Sequence, residues 1–203
     1  MPGKYEMSAE DKTKTQKIKT AYEKRKSAAT KEKGLIMVHT GPGKGKSTAA
    51  MGMLLRALRQ GMRVGVVQFI KGALHEGETD IFQEFGDQAE WYRMGEGYHW
   101  MTQDPDVDKK AARMGWEKSL ELMNRPDLDM VLLDEINVAL RLDQLPLNKV
   151  LDALKNKREM LHVICTGRGA KPELIEMADM VTEMKMVKHH YRSGIKPQKG
   201  IEF

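Results

Sequence analysis

The sequence predicts an α/β fold: a mostly parallel sheet with helices on both faces, carrying a helical tail at the N-terminus. Three observations predict it. The strand-like runs are nearly continuous apolar stretches, as in sheets buried on both sides. Helix-length segments separate them, which is the alternation of a parallel sheet. The first run, Leu35–His39, breaks into glycines and ends in Gly45-Lys46-Ser47-Thr48, the form of a strand, an anion-binding loop and a helix start.

Taken in order, Ser8 to Ala29 contains no proline or glycine and carries Ile18, Ala21, Tyr22 and Arg25 at helical spacing. Its apolar face is thin, so the helix it predicts needs a partner to be stable. Strand Leu35–His39, helix Lys46–Gln60 and strand Arg63–Ile70 follow, then a polar, glycine-rich stretch. Strand Ala89–Met94 precedes a helix over Asp106–Asn124, in which Ala112, Trp116, Leu120 and Met123 recur at helical intervals. The remaining elements are strand Met130–Asp134, helices Ile136–Leu142 and Pro146–Asn156, strand Leu161–Thr166, helix Lys171–Ala178 and strand Met180–Met186. With 203 residues, 40% of them hydrophobic, the chain suffices for one domain with a sizeable core.

No apolar stretch reaches the length of a membrane span, and Met1-Pro-Gly-Lys-Tyr-Glu lacks the apolar core of a signal peptide. The single cysteine, Cys165, lies in an apolar run and has no internal partner for a disulfide. These features predict a cytoplasmic protein with no membrane contact. Residues 1–33 hold 10 of the 34 Lys and Arg but 5 of the 29 Asp and Glu, so the net charge of +5 resides in the tail. The domain boundary therefore falls there: 1–33 a basic helical extension, 34–203 the core. Acids interleave with the bases, which argues for a solvated or docking helix over a nucleic-acid arm.

In the loop, Gly41, Gly43 and Gly45 let backbone N–H groups of Gly41, Pro42-flanking Gly43, Lys44, Gly45 and Ser47 face a phosphate without a Cβ in the way. Lys46 reaches the terminal phosphates and the Ser47 hydroxyl a magnesium ion. Thr48 either touches a phosphate oxygen or simply continues the helix. Thr40 stands where the G-x-x-x-x-G-K-[ST] pattern has its first glycine, and Lys44 is an additional cation. A second pole is Met130-Val-Leu-Leu-Asp134-Glu135, an apolar run ending in two acids at the strand end where α/β sheets gather ligands. Asp134 and Glu135 can hold magnesium opposite Ser47, or cap the next helix. Arg168, in the turn Thr166-Gly-Arg-Gly169, can fork onto a phosphate or lie on the surface.

These segments, with Val64-Gly-Val-Val-Gln-Phe-Ile-Lys-Gly72, Gly97-Tyr-His-Trp100, Val187-Lys-His189 and the closing Gly194 to Phe203, resemble the ATP:corrinoid adenosyltransferases of the cobalamin-synthesis type. The resemblance runs in order from about residue 34 to the C-terminus. Pro42, Ser47 and Tyr98 stand where many members have asparagine, threonine and phenylalanine. The resemblance implies a P-loop NTPase-like fold of the RecA type, in which Thr40 is the family's own residue. It implies an enzyme that transfers the 5′-deoxyadenosyl group of ATP to a Co(I) corrinoid (cobalamin, cobinamide or another), releasing triphosphate. ATP then lies reversed along the loop, with magnesium, or manganese in its place, as cofactor, a reduced flavoprotein as electron donor and a homodimer as the assembly.

The residues the resemblance assigns are Lys46 and Glu135 for catalysis, Gly41 to Thr48 with Arg168 for ATP, and Ser47, Glu135 and Asp134 for the metal. Tyr98 and Trp100 press on the lower face of the corrin ring. From composition alone that aromatic pair reads first as core. His99 between them points away, and His189 and His190 read as neighbours on opposite faces of a strand. The N-terminal helix is implied to cover the corrinoid site of the other subunit. Two rival classes remain open: a P-loop ATPase or nucleotide kinase, and an ATP-gated nucleic-acid-binding protein acting through its basic tail.

Overall fold

The computed structural model of the chain describes residues 8–70, 77–94 and 104–201. It divides into two compact units, Met1–Glu32 and Lys33–Phe203. The first is built on one helix, α1 (Ala9–Ala28). Ser8 caps it reciprocally: its hydroxyl accepts the Asp11 N–H at 3.1 Å and donates to the Asp11 carboxylate at 2.7 Å. Ile18 and Tyr22, the large residues of its thin apolar stripe, are exposed.

The second unit runs β1 (Ile36–Thr40), α2 (Lys46–Arg59), β2 (Val64–Gln68), α3 (Gly77–Gln83), β3 (Ala89–Arg93), α4 (Pro105–Asn124), β4 (Met130–Asp134), α5 (Ile136–Arg141), α6 (Leu147–Lys155), β5 (His162–Thr166), α7 (Pro172–Met177) and β6 (Met180–Glu183). The six strands form one sheet in the order β3-β2-β4-β5-β1-β6. Every pairing is parallel, as the continuous apolar runs require. This is the α/β, P-loop NTPase-like architecture that the sequence predicts.

Successive residues of β1, β2, β4 and β5 feed two cores. Met37, Val64, Val66, Met130, Leu132 and Ile164 pack with Ala50, Met51, Leu54 and Leu58 of α2 on one face. Their neighbours Ile36, Val38, Val67, Val131, Leu133, Val163 and Cys165 face α4 to α7 on the other. The period-2 alternation of strand side chains therefore decides which cluster each residue joins. By the same parity Gln68, Asp134 and Thr166, at the carboxyl ends of β2, β4 and β5, share the face of α2.

Three local readings of the sequence are corrected. The polar stretch after β2 contains α3, which buries Phe82 but is too short to register as a helical period. The last strand stops at Glu183, not Met186, because β1 ends at Thr40: the Met184 N–H still donates to the Thr40 carbonyl at 2.9 Å, but the Met184 carbonyl turns to the glycine loop. His189 and His190 are not in a strand. They flank the start of a 3₁₀ turn, His190–Ser193, with their rings stacked at 4.7 Å.

Candidate active site

The glycine loop bridges β1 and α2 and is braced from the side by the chain leaving β6. Gly43 donates its N–H to the Met184 carbonyl at 2.6 Å, and a Cβ on either Gly41 or Gly43 would lie 2.6 Å from that same oxygen. Gly41 and Gly45 also adopt φ of 96° and 99°, which L side chains rarely do. Only glycine fits. Gly45 precedes α2 and no side chain caps it, so the first N–H groups of the helix open toward the loop's hollow, where an anion is the natural partner.

Lys46 is 7% exposed and its ammonium donates to the Gly43 carbonyl at 2.6 Å. Burial is the largest influence on it and lowers its pKa; Glu135 works against this, while Arg168 and Lys44 add to the lowering. Three cations therefore converge on the loop, a concentration of positive charge that a polyphosphate would neutralise. Pro42, Lys44 and Thr48 are exposed. At the root of the loop His39 Nδ1 lies 3.2 Å from the Lys46 carbonyl. A carbonyl only accepts, so this nitrogen carries the proton.

The acidic pole is organised around Asp134, which is fully buried. Its Oδ1 accepts the Ser47 hydroxyl at 2.7 Å and the Thr166 hydroxyl at 2.6 Å. Its Oδ2 accepts Gln68 Nε2 at 3.2 Å. The strand between β1 and β4 is β5, and Thr166 at its end braces the acidic pole by also accepting the Glu135 N–H at 2.9 Å, while the Ser47–Asp134 bond joins that pole to the loop. Glu135 is half-buried and left-handed, with φ 63° and ψ 17°. A non-glycine residue held there is strained and persists only where its surroundings impose it. Asn137 donates to the carbonyls of Gly167 (3.1 Å) and His39 (3.4 Å), joining α5 to the neighbouring turn.

Arg168 stands exposed in that turn. The turn is tied to the loop by Thr40, whose hydroxyl accepts the Ala170 N–H at 3.1 Å. A glycine at this position could not make that bond. Thus the structure brings together Lys46, Ser47, Asp134, Glu135 and Arg168 from three separate segments. Tyr98 and Trp100 lie outside the described residues. Thr166, Gln68 and the Thr40 hydroxyl join the site without a motif that marks them in the sequence. Their signal is position at the carboxyl ends of strands.

The donor set suits magnesium. It consists of hard oxygens, a hydroxyl and two carboxylates, and among the described residues no group of three or more His, Cys, Asp or Glu could hold a metal unaided. Magnesium binds through one or two carboxylates and completes its shell with phosphate and water, so a sparse protein contribution fits it.

The family model described as ATP:corrinoid adenosyltransferase BtuR/CobO/CobP matches residues 32–203. That span includes the whole sheet and both poles of the site. The chain belongs to this family. Among similar proteins, a corrinoid adenosyltransferase of Sinorhizobium sp. is 51% identical over 189 residues, covering 92% of this chain and 88% of its own. One of Pseudomonas aeruginosa is 47% identical, covering 91% of each. One of Escherichia coli (strain K12) is 41% identical, covering 93% of this chain and 95% of its own. Within an ATP:corrinoid adenosyltransferase, the Thr40 loop is thus an intact alternative to the commoner phosphate-binding pattern, with its own bond to the Arg168 turn.

Proposed function

We propose that the protein transfers the 5′-deoxyadenosyl group of ATP to the cobalt of a Co(I) corrinoid, releasing triphosphate, in adenosylcobalamin biosynthesis or salvage. The observation that carries this reading is the family match across the entire sheet domain, over a site that offers a cationic phosphate clamp. In the reaction the cobalt lone pair forms the Co–C5′ bond, the C5′–O5′ bond breaks, and its electrons stay on the triphosphate oxygen. Co(I) is the nucleophile, so the protein needs none of its own.

Its tasks are to place C5′ in line with the cobalt and to stabilise the leaving triphosphate. Lys46, Lys44, Arg168 and the N–H groups at the start of α2 carry the second task. Ser47 and Glu135, with Asp134 held behind Ser47, would bind magnesium, which when present neutralises charge on the triphosphate. Gly43 donates its N–H to the Met184 carbonyl and so, contrary to the expectation from the sequence, is not among the loop donors left for the triphosphate. Tyr98 and Trp100 are proposed for the lower face of the corrin, a reduced flavoprotein as donor, and a cytoplasmic homodimer as the working form. No described helix is long and apolar enough to cross a membrane.

Product identity tests the reading. Incubated with MgATP and chemically reduced Co(I) corrinoid, the protein is expected to yield a light-sensitive alkylcobalt and intact triphosphate. ADP or orthophosphate as the main product would instead make it a kinase or an ATPase.

A further inference from the structure

The carboxylate behind Ser47 is held from a direction that a phosphate-binding loop does not require. Gln68 and Asp134 are cross-strand partners in the β2–β4 register, and Gln68, 1% exposed, extends its amide to Asp134 Oδ2. The other end of the same amide faces β3, where Trp91 Nε1 donates to Gln68 Oε1 at 2.9 Å. An indole N–H can only donate, so it fixes which end of the amide is oxygen and leaves Nε2 for Asp134. Trp91 is itself held, its ring 5.3 Å from that of Phe82 on α3. A continuous chain of hydrogen bonds therefore crosses β3, β2 and β4 and ends on the Ser47 and Thr166 hydroxyls.

With both oxygens of Asp134 engaged, the carboxylate has one orientation. Oδ1 is turned to Ser47, and the Ser47 proton is committed to Asp134, so that a lone pair of Oγ faces away from it. That is the polarity a hydroxyl needs in order to ligate a cation. We infer that Gln68 and Trp91 are positioning residues for the metal-nucleotide end of the site: they hold Asp134, through it the Ser47 hydroxyl, and so set the magnesium-dependent part of ATP affinity. The inference rests on the reading of Ser47 and Asp134 given above.

Such outer partners of metal ligands typically change metal affinity by about 10- to 100-fold. The experiment measures ATP affinity of the full chain by titration calorimetry, once with magnesium and once with EDTA, for the chain, Gln68→Met, Trp91→Phe and the double variant. Gln68→Met is expected to weaken MgATP binding about 10-fold and to leave magnesium-free ATP within about 2-fold. Trp91→Phe keeps the ring against Phe82 and should give a smaller loss of the same kind. Because both act through one amide, the double variant should cost no more than Gln68→Met alone.

Equal losses with and without magnesium, or losses that add, would overturn the inference and leave the pair as ordinary core. Melting curves of each variant separate loss of the site from loss of fold. If the unaltered chain itself gains no affinity from magnesium, the assignment of Ser47 and Asp134 fails first, and the inference with it.

Discussion

At the scale of the residue, Lys46 is the group on which the chemistry leans hardest. Its ammonium is buried, its pKa lowered chiefly by that burial, and Glu135 is the strongest opposing influence. Among the described residues its hydrogen-bond partner is the Gly43 carbonyl, at the loop where an anion would bind. Lys46→Ala should lower turnover roughly 100-fold or more, the scale of one lost electrostatic contact to a developing anion. The loss should persist with chemically supplied Co(I), since Lys46 acts on the leaving group and not on reduction. Near-normal turnover of the variant under those conditions would remove Lys46 from the mechanism. Lys46, Ser47 and the Asp134-Glu135 pair are legible in the sequence because loop and strand-end chemistry is local in the chain. The bonds that orient them are not. Ser47 and Asp134 are 87 positions apart, Gln68 and Asp134 66, Thr40 and Ala170 130. Only strand order brings such pairs together, and no local pattern encodes it.

At the scale of the element, the loop can be no better placed than β1, and β1 is moored at its entry by side chains. Leu35 donates its N–H to His162 Nδ1 at 3.1 Å, and Ile36 to Asp179 Oδ2 at 2.9 Å. Asp179 also pairs with Lys33 at 2.5 Å, and Lys157 donates to the Gly34 carbonyl at 2.7 Å. Burial, then the charge of Lys157, holds His162 below the usual imidazole range, with Asp129 opposing. Burial favours the neutral form of Asp179, but Lys33 and the Ile36 N–H outweigh it and hold the carboxyl below the usual range. For both groups the unfolded chain binds protons more readily than the fold does. The His162 contribution is thus complete above about pH 6.5 and is lost as pH falls through its folded pKa; Asp179 adds a further loss below about pH 4. Urea unfolding at pH 7.5, 6 and 5 should show His162→Asn, whose amide oxygen can accept the Leu35 N–H, losing less stability than the unaltered chain. Equal losses would mean that His162 does not titrate the mooring. Elements of this sheet are legible for a related reason: long apolar runs and amphipathic helices announce themselves, whereas α3 has too few turns to show a period and β6 ends where its neighbour ends.

At the scale of the whole molecule, the two units carry opposite physical characters. All the described buried apolar residues belong to Lys33–Phe203, while α1 is exposed along its described length and lies in the segment 1–33 that holds the excess positive charge. A helix of this composition has little to stabilise it alone, so its retention calls for a partner surface. The family resemblance implies one, the corrinoid site of the other subunit of a homodimer, and a cover there would exclude water from a reactive Co(I) centre. Deleting residues 1–32, which spares Lys33 and its pair with Asp179, should then leave the melting temperature of the sheet domain and its MgATP affinity nearly unchanged, because neither the cores nor the hydrogen bonds of the loop use that segment. The corrinoid KM should rise by about 10-fold or more, which corresponds to about 1.4 kcal/mol of lost binding. The same deletion decides against the nucleic-acid reading, in which the intact chain would bind DNA or RNA with steep salt dependence and the truncated chain would not. A truncated chain that keeps its corrinoid KM would show that the basic helix serves something other than the transfer.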